Sequence, residues 1–284
     1  MSPLIDEIIV NGLILGGLYS LLALGFSLIR GVARVCNLAH GALYMLTAYL
    51  IYSLLFLGMG LSIAISLILV ILVSLLIYRT LIGPLREKEA RVATITLGTA
   101  IVFQELVKII WGPGIKSIPA LIEGYTFILG VRVVYQKLLP LFISVIIVVC
   151  LWIFINRTRL GKAVRAVAQN LEVAQLVGIN VQRIFMLSMA ISALLAGFAA
   201  VIFAPVYYVS PEGWTILFRT FPVLVLGGLG SLKGSVLAAF IIAFTEKIVE
   251  FNFGGGYLVQ TVTFAVMLAI IFIKPSGLFG KSVK

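Results

Sequence analysis

The sequence predicts an all-α polytopic membrane protein with about eight membrane segments, some of them broken or re-entrant. Two observations carry that expectation. Of 284 residues, 62% are hydrophobic and only 11% are charged, a composition that leaves a soluble domain unable to solvate its surface. The basic residues also collect in short connections between apolar runs, the pattern of a chain threaded through a bilayer. A single transmembrane domain over residues 1–284 follows, with a cytoplasmic loop at 156–183.

Roughly 20 apolar residues cross a hydrocarbon core of about 30 Å. That length places spans at Ile8–Ile29, Val35–Leu57, Leu61–Tyr78, Val92–Trp111, Leu138–Ile155, Ile184–Ala204, Gly234–Val249 and Tyr257–Ile273. Gly58-Met59-Gly60 reads as the tight turn between the second and third. The N-terminal MSPLIDEII has no basic region and no small-residue cleavage site, so no removable signal is expected.

Charge sorting gives the orientation. Arg30, Arg34, Arg79, Arg86, Lys88 and Arg91 fall on one side, with Arg157, Arg159, Lys162, Arg165 and Arg183, and then Lys274, Lys281 and Lys284. Lys116, Arg132, Lys137 and Arg219 fall on the other. The first set is therefore expected in the cytoplasm of a bacterial or archaeal cell, with the N-terminus outside and the C-terminus inside.

That orientation puts residues 205–220 and the turn at Asn252–Gly256 on the same outer side, with one full-length apolar run between them. Pro222–Leu226 is therefore expected to enter the membrane, break at Gly227-Gly228-Leu229-Gly230-Ser231 and return as a helix from about Gly234. Asn37-Leu38-Ala39-His40-Gly41 interrupts the second span in the same manner. AHGALYMLTAY and LKGSVLAAFII share a faint pattern, the trace of a two-half repeat of the kind transporters carry. Asn37, His40, Gly41, Gly227, Gly228, Gly230 and Ser231 are the candidate translocation-path residues. Glycines let a backbone approach substrate closely; the competing role is close helix packing. His40, the only histidine, either lines the path or donates to a carbonyl freed by the break.

The polar island at Asn156–Arg183 reads NRTRLGKAVRAVAQNLEVAQLVGINVQR. Val164, Val167, Ala168, Leu171 and Ala174 recur at helical spacing, and Gly178 stands where a C-terminal cap belongs. Lys162, Arg165, Gln169 and Glu172 fall on the opposite face. The small apolar residues Ala163, Ala168 and Ala174 suit a protein groove better than a lipid surface. Such a helix is suited to receiving a push from a soluble partner.

The stretches NGLILGGLYSLLALGFSLIRGV, NLAHGALYMLTAYL, PLR at 84–86, GKAVRAVAQNLEVAQLVGIN, FPVLVLGGLGSLKGSVLAA and KPSGLFG together carry a resemblance over nearly the full length. The chain resembles the permease subunits of ATP-binding-cassette importers for branched-chain amino acids, in particular the shorter of the two permeases. The resemblance implies a type II-like importer. Two permeases, a different and longer one beside this chain, would pair; two cytoplasmic ATPases would drive them, and an extracytoplasmic binding protein would deliver the amino acid. It also implies that the island is the coupling helix, with Gly161, Lys162, Arg165, Glu172, Ala174 and Gly178 as ATPase-coupling residues. The family's EAA-then-glycine pattern is met only in part, because Val173 replaces the first alanine and the later Leu-Pro is missing.

No phosphate-binding G-x-x-x-x-G-K-[ST] sequence is present, nor a nucleophile elbow or a His/Cys metal cluster. The chain is thus expected to be a transport subunit and not an enzyme, with no catalytic or metal-binding residues and no cofactor of its own; ATP and magnesium belong to partner subunits. Membrane lipid is an expected partner, nucleic acid is not. The alternative is a self-sufficient ion-coupled carrier or channel, which needs acidic groups near mid-membrane. Only Glu105, beside Lys108, and Glu246 and Glu250, beside Lys247, come near that requirement, and all are expected at span ends.

Overall fold

α1 (Pro3–Ala33) is apolar on nearly every face, and a helix of that kind is stable inside a bundle or against lipid. In the computed structural model, which describes residues 3–128, 131–274 and 276–280, the other helices wrap it. Leu21, Leu22 and Ala23 are completely enclosed. α11 (Leu232–Phe253) runs antiparallel along it. A Cβ on Gly12 would lie 2.6 Å from the Phe244 ring, the Ser27 and Ser235 hydroxyls meet at 2.5 Å, and Gly31 rests on Gly230. Small residues on one helix thus receive large ones from the other.

Each expected span is realised as a helix, with shifted ends. α2 (His40–Leu54) runs into a 3-10 turn at Leu55–Leu57, and Gly58, at φ +89°, turns the chain into α3 (Met59–Ile77). A π-helical turn, Tyr78–Ile82, leads to the short α4 (Gly83–Leu85) and then α5 (Glu89–Trp111). α6 (Tyr135–Arg157) is followed by α7 (Arg159–Gln169), α8 (Leu171–Leu176) and α9 (Val181–Phe203). α10 (Ile216–Gly227) meets α11 at 119°. α12 (Tyr257–Ile273) has 17 residues, about 26 Å of helix, somewhat short of a full crossing. One antiparallel hairpin, β1 (Tyr125–Ile128) with β2 (Val131–Val134), departs from the all-helical expectation.

The bundle has two distinct ends. At one end lie the C-terminus of α1, the start of α5, where Arg30 pairs with Glu89, and the start of α9, where Arg86 lies 4.9 Å over the Phe185 ring. α7 and α8 belong to this basic end. The hairpin, the bridge between Lys116 and Val209, and the first turns of α1 belong to the other. The segment after α12 returns to the basic end, where Leu278 N donates to Leu226 O at 2.7 Å. The beginning of α1 and the end of the described chain are therefore at opposite ends.

Two stretches of irregular backbone lie deep in the bundle. Arg34 (φ 57°) ends α1, and residues 34–39 climb back along it until the His40 ring touches Gly25. Gly25 precedes the end of α1 by eight residues, roughly 12 Å of helix, so α2 starts well inside. Val35 and Asn37 are each 1% exposed. Irregular backbone at that depth must be satisfied internally: Leu38 N donates to Thr96 Oγ1 at 3.0 Å and Ala39 N to Asn37 Oδ1 at 3.1 Å. The second stretch, residues 204–215, descends from the hairpin end until the Trp214 carbonyl packs on Gly41. The starts of α2 and α10 meet there.

The bend at Gly227–Ser231 falls where the sequence predicts, at a different depth. Gly228 and Gly230 have φ of +91° and +87°, a region open mainly to glycine. The turn lies level with Gly31, at the basic end, because α10 and α11 both extend away from it. Backbone that breaks halfway across the bundle is supplied by 34–39 and 204–215 instead.

Candidate functional site

The polar island forms two helices, not one. Asn170 (φ −150°, ψ 114°) leaves the helical region and its Oδ1 accepts from Glu172 N and Val173 N at 3.0 and 3.1 Å, capping α8. Gly178 (φ +83°) closes α8: Ile179 N donates to Ala174 O at 3.0 Å and Gly178 N to Gln175 O at 3.0 Å, the paired bonds of a glycine-terminated helix. Thr158 caps α7 by accepting from Gly161 N at 2.9 Å.

The apolar face of this pair turns toward its own bundle. Val164, Val167 and Ala174 are 2%, 1% and 2% exposed. Gly161 is buried because α7 crosses the end of α6 there, and a Cβ would sit 2.5 Å from Ile155 O. The expectation that the small-residue face fits a partner's groove is therefore corrected. The outward surface carries Lys162, Arg165, Glu172 and Gly178, joined by Val173, Val177 and Leu176, the last 86% exposed. Arg165 Nη1 donates to Asn156 Oδ1 at 3.1 Å. Of the six candidate coupling residues, Gly161 and Ala174 shape the pair, whereas Lys162, Arg165, Glu172 and Gly178 are available to a neighbour.

The seven candidate path residues separate into two groups. Asn37, His40 and Gly41 sit at the deep break. His40 is fully buried, with Nε2 3.1 Å from Leu22 O and Nδ1 3.0 Å from Ser192 Oγ. A carbonyl only accepts, so Nε2 carries the proton and Nδ1 accepts from the serine hydroxyl. The ring thereby ties α1, α2 and α9 together. Gly227, Gly228, Gly230 and Ser231 form the turn at the basic end. A Cβ on Gly227 would lie 2.6 Å from the Gly234 carbonyl carbon, and Ser231 Oγ accepts from Gly234 N at 3.2 Å as the cap of α11.

Two open spaces lie elsewhere. Two adjoining cavities, each of about 350 Å³, share a wall made by Leu15, Tyr19, Tyr207 and Arg219. The first continues past Leu18, Met45, Ala48 and Ile216, beside the meeting point of α2 and α10. The second continues past Glu246, Lys247 and Glu250 on α11. None of the seven path residues lines either cavity.

Glu246, one of the acidic residues expected at a span end, lines the second cavity. It was expected at a solvated helix end, but α11 continues to Phe253, seven residues and roughly 10 Å further on. Glu246 is 5% exposed; Tyr19 OH donates to its Oε2 at 2.8 Å and Thr263 Oγ1 to its Oε1 at 3.1 Å. Both donors are neutral, and among the described residues no basic nitrogen lies within ion-pair distance of it. Lys247 pairs with Glu250 at 2.5 Å instead, and Lys108 with Glu105 at 2.9 Å. An acidic residue inside an apolar run is a functional signal. It was obscured here by ending the span three residues after it.

Residues 8–271 match the family described as branched-chain amino acid transport system / permease component. The permease protein BraD of a high-affinity branched-chain amino acid transport system in Pseudomonas aeruginosa is 31% identical, over 96% of this chain and 95% of its own. The corresponding LivH of Salmonella typhimurium is 28% identical, over 95% and 94%. LivM of the same organism, also a permease of such a system, is 30% identical over 83% of this chain and 62% of its own. No solved structure matches.

Proposed function

From the chain's membership of the branched-chain amino acid transport permease family, we propose that it is one transmembrane subunit of an ATP-binding-cassette importer that moves branched-chain amino acids into the cytoplasm. In this reading it pairs with a longer permease, as its likeness to both LivH and LivM suggests. Two ATPases dock on the cytoplasmic side, and an extracytoplasmic binding protein delivers the amino acid at the hairpin end. The basic end is the cytoplasmic one, by the bias of Lys and Arg toward cytoplasmic loops.

One observation carries the coupling assignment: α7 and α8 are anchored inward by Val164, Val167 and Ala174 yet expose Leu176, Val177 and Val173 beside Glu172. An apolar cluster rimmed by charge is the kind of surface that a protein partner covers. Its rigid attachment to the ends of α6 and α9 converts a displacement of the partner into a tilt of those helices. Alternating access then follows from ATPase closure, with the path between the two permeases and the half-helix starts of α2 and α10 close by.

The test uses the transporter purified with its associated subunits and reconstituted in liposomes. Arg165→Glu and Glu172→Lys, both at exposed positions, are expected to leave the permease folded and to separate ATP hydrolysis from amino-acid uptake. Unchanged uptake in both variants would overturn the coupling assignment. Uptake by this chain alone would overturn the importer assignment in favour of a self-sufficient carrier.

A further inference from the structure

We propose that the two joined cavities form an aliphatic α-amino-acid site within this chain, in which Glu246 receives the ammonium and Arg219 the carboxylate. The inference rests on reading the chain as an amino-acid permease and adds where the cargo is recognised.

Glu246 is a buried carboxylate with no ion-pair partner among the described residues. Burying a carboxylate costs several kcal/mol unless a cation or a full set of hydrogen bonds compensates. Here Tyr19 and Thr263 supply one neutral donor contact to each oxygen, and Thr263 Oγ1 also lies 2.9 Å from Val259 O, so its single proton is shared. A carboxylate has about four acceptor sites, so acceptor capacity remains, and the residue faces open space shared with Arg219 and Lys247, neither of them within ion-pair distance of it. The cation that fits is one that enters the cavity.

Arg219 supplies the opposite charge. It lines both cavities, and no carboxylate among the described residues lies within ion-pair distance of it. A guanidinium holds a carboxylate bidentately. Both charges line the second cavity, and Leu15 and Tyr19, which line both cavities, lead to the first, where Leu18 and Met45 are offered to a branched aliphatic chain. Glu250 does not compete for the ammonium, because Lys247 already pairs with it.

Three ligands separate the roles: leucine, 4-methylpentanoate, which lacks the amino group, and 3-methylbutylamine, which lacks the carboxylate. Equilibrium binding is measured without ATP to the transporter and its associated subunits in lipid nanodiscs. Glu246→Gln, which keeps shape and hydrogen bonds, is expected to weaken leucine and 3-methylbutylamine at least tenfold and to leave 4-methylpentanoate unchanged. Arg219→Gln is expected to do the reverse, weakening leucine and 4-methylpentanoate and sparing the amine. Each spared ligand also reports a folded site. Unchanged leucine affinity in both variants overturns the proposal, and so does equal loss of all three ligands in each. ATP-driven uptake by the same wild-type preparation is the separate control: if it persists while the binding pattern fails, the site is wrong and the importer assignment stands.

Discussion

His40 shows what one polar side chain does in an apolar bundle. It was legible as a residue at a break, with two roles open, and the geometry explains why the sequence left them open: both partners, Leu22 O and Ser192 Oγ, are distant in the chain. A His40→Ala change removes two buried hydrogen bonds and leaves a cavity against Gly25. The expected destabilisation is roughly 2–4 kcal/mol, read as a lower unfolding midpoint in detergent. Ser192→Ala removes only one bond, for about 1 kcal/mol. In the double variant the losses are expected to fall short of additive, because Ser192 has nothing to hold once the ring is gone. Strict additivity in that cycle would mean that the ring and the hydroxyl do not form a unit. Glu246 illustrates the opposite difficulty. Its position was visible, but its burial depends on Tyr19 and Thr263 arriving from two other helices, which no local pattern encodes.

At the scale of elements, apolar run length located every span, because the bilayer demands it. The details were lost where one side chain competes with the helix for its backbone. Asn170 splits the polar island because its Oδ1 satisfies two amides at the start of α8. The 3.6-residue pattern continues across it and therefore reads as a single helix. Gly178 was placed correctly as a terminator because a positive φ is a local requirement that glycine advertises. Replacing it with alanine forces a side chain into the left-handed region, at about 1–2 kcal/mol. That strain loosens the end of α8 and so the exposed Leu176 and Val177. The expected result is faster amide exchange confined to residues 171–179 with the spans unaffected. Protection equal to wild type there would show that α8 closes without the glycine cap. Gly161→Val acts differently, pushing α7 off the carbonyls at the end of α6; it is expected to reduce the yield of folded protein. The depth of the Gly227–Ser231 bend was illegible for a third reason: depth is set by which helix lies alongside, here α1 at Gly31.

For the whole molecule, the question is which parts move together. α1 and α11 interlock along most of their length, with Phe244 over Gly12, Phe240 over Gly16, Ser27 against Ser235 and Gly31 on Gly230. Interfaces of this kind are bistable at best and resist sliding, because each large side chain sits in a glycine-sized recess. The joined cavities lie along that same pair, with Tyr19 on one helix and Glu246 on the other. A transport motion that sheared α1 against α11 would break the Tyr19–Glu246 hydrogen bond and collapse the second cavity. The economical motion keeps the pair rigid and moves it as a body relative to a neighbouring subunit. This leads to a decisive cross-link. With Cys36 and Cys150 replaced by serine, Ser27→Cys and Ser235→Cys place two sulfurs where hydroxyls now stand 2.5 Å apart, within reach of a disulfide. Oxidised transporter is expected to retain ATP-driven uptake within about twofold of the reduced form, a difference of roughly 0.4 kcal/mol. A loss of uptake on oxidation that a reductant restores would mean instead that α1 and α11 separate during every cycle.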